Sequence, residues 1–485
     1  MNATKLLRSL SALAVVLTAM SVVRAQYDED DEVHQTAARL GYLSGDVSYS
    51  RGDDPDDWQR AEANVPMVSG DAVYTGDNGR LELQVPGGMR LRLASRTQLT
   101  ALDLTTETLQ FAVDAGTLFV RLPRLDDDQV YEIDTPSAAI TLDRAGDYRV
   151  DVDPDGPTRV QVRSGRATVA AGGGQVGIGE GDALVLEGTD SPRYDVVNLP
   201  PRDAWDRWSD QRDLDLARAT RAYRYVSYDV AGAEDLDGYG RWRRIPNYGW
   251  CWSPLGVEAG WAPYRAGRWV WQDPWGWSWV SSEPWGWAPY HYGRWVVSSG
   301  RWYWVPAGPR VRATYAPALV AFSGGGHGWS VTVGFSSGGF VGWFPLAPSD
   351  PFVPWWGRPR VNVNVTNVTY VNRTYITVVD HTTFVSARPV ASARVRDRMV
   401  VREIERAPVL RGPVPVVPTR QSIRVSNREA PVVRPTHAFS RGYVTRMAPP
   451  PPQPRFDAKA QWIRENRGAP VAPHQAARLA QREPA

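Results

Sequence analysis

The sequence predicts a mainly β protein in three parts: a β-sandwich or β-roll, a tryptophan-rich module of β-hairpin repeats, and a disordered C-terminal tail. Three observations predict it. Over residues 39–190, short runs of alternating apolar and polar residues recur between Gly, Pro and Asp turns, the period-two mark of half-buried strands. Fourteen of the 22 tryptophans fall within residues 242–304, in a motif that returns after 27 and then 26 residues. From Ser386 the chain is rich in Arg, Pro and Val and poor in aromatics, too little apolar surface to fold alone.

In chain order, residues 1–25 read as a cleaved secretory signal. Lys5 and Arg8 form the basic start, Ser9 to Val23 the uncharged apolar stretch, and Val23-Arg24-Ala25 the small-residue cleavage site. The apolar stretch is shorter than the ~20 residues that span a bilayer. The mature chain is therefore expected in the periplasm or outside the cell, with no transmembrane segment and no nucleic-acid or ATP-dependent role. Residues 26–38 are an acidic lead expected to be disordered. The overall charge of +2 conceals segregation: residues 26–240 carry −20 and residues 386–485 carry +12. Charge split this way points to modules with different partners.

The sequence also excludes chemistry. A single cysteine, Cys251, rules out an internal disulfide framework and a cysteine zinc site. The six histidines lack metal-binding spacing, and no cofactor motif is present. Asp151-Val-Asp-Pro-Asp-Gly156 opens like a calcium loop, but Val162 stands where the closing Glu belongs, so a turn between strands is expected. The reading is non-enzymatic, with a hydrolase built on converging acids kept as a third alternative.

Strands are expected at 40–49, 80–85, 89–93, 109–113, 117–122, 130–133, 139–142, 148–152, 158–163, 167–170 and 183–186, with Pro86-Gly87-Gly88 as a hairpin turn. The segments Val65-Pro-Met-Val-Ser-Gly-Asp-Ala-Val-Tyr-Thr-Gly76, Asp114-Ala-Gly-Thr-Leu-Phe-Val120, Thr135-Pro-Ser-Ala-Ala-Ile140 and Thr158–Val169 resemble the FecR-type periplasmic domain of bacterial envelope proteins, over about 39–190. The resemblance implies a β domain with a signalling connection. The anti-sigma role of the family's founding member is not carried over, because a signal peptide directly precedes the domain.

Residues 201–240 are expected to connect the modules, with a helix over 201–224 carrying Ala204, Trp208, Leu214 and Ala217 on one side. In the module at 241–385, Gly-Arg-Trp recurs at 240–242, 267–269 and 293–295, each followed by a W-x-W pair: Trp250/Trp252, Trp277/Trp279 and Trp302/Trp304. Each unit reads as a hairpin with both indoles of the pair on one face. A lone hairpin is marginal in water, so the three must pack together. Two uses of the indoles stay open: a core that replaces scarce Leu, Ile and Val, or exposed platforms for a ligand. The candidate ligand-binding residues are Trp269, Trp271, Trp275, Trp277, Trp279, Trp287, Tyr290, His291, Tyr292, Arg294 and Trp295. Cys251 falls on the face opposite the indoles, with Ser278 and Tyr303, and is expected to be a buried free thiol.

The run Glu283-Pro-Trp-Gly-Trp-Ala-Pro-Tyr-His-Tyr-Gly-Arg-Trp295, with Tyr315–Val320 and Gly342–Pro348, resembles a second bacterial family, of unknown function, that often follows a FecR-like domain. Further on, residues 361–366 alternate as an edge or solvent-facing strand, and Asn364, Asn367 and Asn372 sit in sequons. A short helix is expected near 457–466. The expected function is an exported binding or scaffolding protein. Its partner is cell-wall glycan, held by the tryptophans, or another envelope protein, with the tryptophans as core. The basic tail is expected to meet anionic lipid, lipopolysaccharide or the acidic domain of its own chain.

Overall fold

Alternating strands with one apolar face must find a second layer, and over residues 38–198 they do. A computed structural model describes residues 35–189, 191–218, 221–324, 339–356, 369–426, 431–435 and 442–482. Two largely antiparallel sheets face each other. One runs 54–60, 47–51, 72–75, 98–104, 108–115, 130–134, 139–142, 166–171, 174–179 in spatial order. The other runs 38–44, 80–84, 90–93, 116–122, 146–152, 158–164, 182–187, 193–198. A 15-residue strand, Thr108–Leu122, belongs to both. Two strands expected at 109–113 and 117–122 are thus one, bent at Gly116. That residue has φ +97, and a Cβ there would strike Thr97. The parallel pair, 108–112 with 130–134, is flanked by antiparallel neighbours. Leu, Val and Ile from both inner faces fill the core between the sheets. The Asp151–Gly156 segment ends one strand and turns toward the next, as expected for a connection.

The connector helix is Ala204–Arg218. Asp203 caps it, accepting hydrogen bonds from Trp205 N at 2.8 Å and Asp206 N at 2.9 Å. The expected apolar side does not dock it: Leu214 is 52% exposed, while the buried helix residues are Asp206 and Ser209. Ion pairs hold it to the sandwich instead, Arg163–Asp206 at 2.7 Å, Arg92–Asp213 at 2.5 Å and Arg212–Glu82 at 3.1 Å. Trp205 and Trp208 stack at 4.6 Å, with Arg80 over Trp208.

The three tryptophan hairpins form as expected: Gly240–Ile245 with Gly249–Pro254, Gly267–Gln272 with Gly276–Ser281, and Arg294–Ser298 with Arg301–Val305. The first and third join into one four-stranded sheet through Trp252 and Trp304. The middle hairpin pairs with neither. A third sheet is built from Val320–Ser323, Phe340–Pro345 and Thr377–Asp380. The strand expected at 361–366, with Asn364 and Asn367, lies outside the described residues, as do the signal segment and the acidic lead up to residue 34. Asn372 is buried, and its Nδ2 donates to Trp295 O at 2.7 Å and Pro345 O at 3.1 Å.

The C-terminal region requires a correction. Its described segments do not hang free. They carry the helices Arg398–Arg406, Phe456–Glu465 and Pro473–Ala480. Val414, Val416, Ile423, Phe456, Ile463 and Val471 are buried in the tryptophan core. The middle hairpin is what they cover: Trp271 N donates to Ser422 O at 2.8 Å and Trp277 Nε1 to Val416 O at 3.1 Å. A region too apolar-poor to build a core can still complete one that other segments began. Among the described residues no helix is long and apolar enough to cross a membrane.

Candidate functional site

Each candidate ligand-binding residue can be placed. Trp269, Trp271, Trp275, Trp277, Trp279, Trp287, Tyr290, His291, Tyr292 and Trp295 are all buried, and Arg294 is half-buried. The fold does bring them together, but as the centre of a core rather than the floor of a groove. Trp271 and Trp277 meet edge to face at 5.5 Å, as do Trp269 and Trp279 at 5.4 Å. Trp343, Trp355 and Phe384 close over them. Exposed platforms therefore do not form at these positions. Of the 14 clustered indoles, Trp250 alone is exposed.

Backbone carbonyls accept from some of the buried indole N–H groups, while those of Trp269, Trp271 and Trp279 have no partner among the described residues. Trp252 donates to Leu236 O at 2.8 Å, Trp295 to Pro289 O at 2.9 Å and Trp304 to Tyr292 O at 2.7 Å. The His291 ring places Nδ1 2.7 Å from Ala316 O, and burial pulls its pKa down to about 3, so it stays neutral. Cys251 is a buried free thiol packed with Ile245, Val296 and Tyr303, and burial raises it to about 11.

The Gly-Arg-Trp signature has a packing cause. The glycine of each unit lies under the last tryptophan of the same unit. A Cβ on Gly267 would stand 2.5 Å from Trp279 Cζ2, and one on Gly293 2.6 Å from Trp304 Nε1; Gly240 is covered the same way by Trp252. Only a residue without a side chain lets the cross-strand indole lie flat on the backbone.

Sequence reasoning missed two features. The first is a buried ionic junction of three distant segments. Lys459, on the helix Phe456–Glu465, donates to Asp53 Oδ2 of the sandwich at 2.8 Å and to Asp273 of the middle hairpin. Arg51 pairs with Asp53 at 2.7 Å and reaches Gln272 Oε1 at 2.6 Å. Burial alone would raise the Asp53 carboxyl, but Arg51 and Lys459 override it and hold it far below the usual carboxylate range. The scarcity of lysine, only Lys5 and Lys459, is the one signal that singled this residue out. A second docking strip lies on the sandwich. Val444 bridges Thr135, Tyr443 OH donates to Asp114 at 2.7 Å, and the N–H groups of Arg446 and Met447 donate to Glu132 at 2.9 and 3.1 Å.

The second feature is what stays uncovered. Strand Arg193–Asn198 pairs on one side with 182–187 and is exposed along its whole length, with Tyr194, Val196 and Val197 in solvent. Its other edge is unpaired among the described residues, and an open, apolar edge is a ready template for another strand. On the same sheet, a cavity of about 750 Å³ is lined by Arg96, Arg149, Arg159 and Arg163 together with Asp151, Asp153 and Asp203, and Arg149 is paired with Asp151 and Asp203.

Comparison with known proteins bears out both resemblances. Residues 71–168 match the family described as FecR protein, and residues 233–350 match a family of unknown function, DUF6600. FecR proteins are envelope-associated. No curated protein matches the chain. Two crystal structures of a candidate anti-sigma factor from Parabacteroides distasonis ATCC 8503 are similar at 13% identity. They cover 36% of this chain and 94% of theirs, with a TM-score of 0.25.

Proposed function

We propose that this chain is an exported, non-catalytic envelope protein that works by protein–protein contact. The FecR-like sandwich is its contact surface, and the tryptophan module is the rigid mount to which the sandwich is locked. One contrast carries this reading: the indoles are spent on a core, while the strand Arg193–Asn198 offers an open apolar edge. An added strand gains main-chain hydrogen bonds along the edge, and Tyr194 and Val196 supply one face for side-chain selection. The basic tail is assigned to its own acidic domain rather than to lipid. Arg420 meets Asp54, Arg455 meets Asp56 and Lys459 meets Asp53.

The test places a photo-crosslinking residue at Val196 in the full chain expressed in its native host, alongside titration of the purified protein with neutral N-acetylglucosamine oligosaccharides. A discrete cross-linked protein, with tryptophan emission indifferent to glycan, is expected. Glycan that shields the indoles from acrylamide, with nothing captured at Val196, would return the function to glycan binding.

A further inference from the structure

The three Gly-Arg-Trp units place an arginine at the same repeat position, and the three arginines meet different fates. Arg241 is exposed to water. Arg268 is buried but answered, pairing with Glu62 at 2.9 Å and donating to Val425 O. Arg294 is half-buried and answered by no carboxylate at ion-pair distance among the described residues. Its one hydrogen bond among the described residues is Nη1 to Gly293 O at 3.0 Å, and its guanidinium lies over the Phe352 ring at 5.5 Å. A cation taken partly from water without a counter-charge is costly unless something else supplies one.

Arg294 lines a cavity of about 500 Å³ with Phe352, Trp356, Tyr315 and Ser227. That volume is in the range of small-molecule sites. The walls are mostly apolar, and Phe352 and Trp356 are half-buried at its side. The Tyr315 ring lines the same cavity, while its hydroxyl is closed off from solvent and turned away from the opening. The unpaired guanidinium is a cost that a bound anion removes.

We propose that this cavity binds a small monocarboxylate carrying a ring: the carboxylate on Arg294 and the ring against Trp356 and Phe352. The carboxylate makes charge-assisted hydrogen bonds in a site drier than bulk water, and a ring face packs on the aromatic wall. Burial pushes the Arg294 guanidinium downward from its ordinary value, with Tyr264 and Asp350 opposing, and a bound carboxylate reverses that shift. The site is independent of the edge strand Arg193–Asn198 and stands whether or not that edge binds protein.

Calorimetric titration of the full chain tests it with three probes: N-acetylmuramic acid, phenylacetate, and the neutral N-acetylglucosamine. The first two separate an acidic sugar from an aromatic acid. At least one acid should bind, the neutral sugar at least about tenfold more weakly, and Arg294→Gln should weaken the acid by about tenfold or more. Phe352→Leu, which removes an aromatic ring from the wall, should weaken it by a smaller factor. Unchanged near-ultraviolet circular dichroism of both variants separates lost binding from lost folding, and Phe352→Leu serves if Arg294→Gln does not fold. The proposal is overturned if neither acid binds, if the neutral sugar binds as tightly, or if neither variant weakens binding.

Discussion

Lys459→Met strikes the junction where three segments share buried charge. The Lys459 side chain is 1% exposed and that of Asp53 0%, so neither charge is relieved by solvent. The substitution leaves Asp53 with Arg51 alone. It strips Asp273, 8% exposed and with Oδ1 already unpaired, of its cation. Removing one partner of a buried pair costs about 3–5 kcal/mol. The cost should appear first as release of the helix Phe456–Glu465, which is anchored by Phe456 and Ile463 on a small area. An opening free energy lowered by that amount raises the open population about 100-fold or more. The assay is native-state tryptic cleavage after Arg464, or amide exchange across the helix, in the intact chain. A rate within about threefold of wild type would refute the reasoning, because it would mean that the ammonium is solvated in solution. Adding Asp273→Asn should recover part of the loss, since it removes the stranded charge. The sign with pH follows from the shifts. Lys459 is raised despite burial, and Asp53 is lowered despite burial. The junction is therefore at full strength between about pH 4 and pH 10, lost toward acid through Asp53 and toward strong base through Lys459.

The strip under Tyr443–Met447 has the opposite acid behaviour. Burial, and then Glu132, push the Asp134 carboxyl up to about 8, and burial pushes Asp114 up to about 6. Folded carboxyls raised above the unfolded value favour folding fully below about pH 4 and lose that contribution as pH rises through 6 to 8. Exchange at the Val444 and Met447 amides, corrected for its intrinsic rate, should quicken over that range; a flat opening constant would contradict it. Gly267→Ala must displace the Trp279 ring or the strand beneath it. A loss of about 1–3 kcal/mol is expected in denaturant melts, and a neutral result would undo the packing account of the repeat glycine. Cys251 should resist a thiol reagent in the native protein at neutral pH and react once unfolded, because the thiol is buried and raised to about 11. Tryptophan emission should be blue and poorly quenched by acrylamide, with a small accessible fraction from Trp250.

Local pattern determined what local pattern can reach. The alternation in Arg80–Gln84 and Arg90–Leu93, and the spacing of Trp269, Trp271, Trp277 and Trp279, specify strands and their hairpin pairing, because side chains alternate and the turn sets the register. The same pattern could not say which face of a hairpin meets water. Trp277 and Trp279 lie on one face of the middle hairpin and Ser278 on the other, and all three are buried, because residues from the tail and from 315–320 close over it. Composition misread the tail for a related reason: it measures whether a segment can bury its own surface, not whether Val416, Ile423 and Phe456 complete a surface built elsewhere. The connector helix escaped the apolar-stripe reading because Asp206, Asp213 and Arg212 dock it by charge, and charge pairing leaves no period in the sequence. Lys459 and Arg294 show the limit most clearly. Lys459 is one of two lysines and Arg294 one of the candidate ligand-binding residues, yet only tertiary contact decides that the first is locked between two carboxylates and the second is left facing a cavity without one.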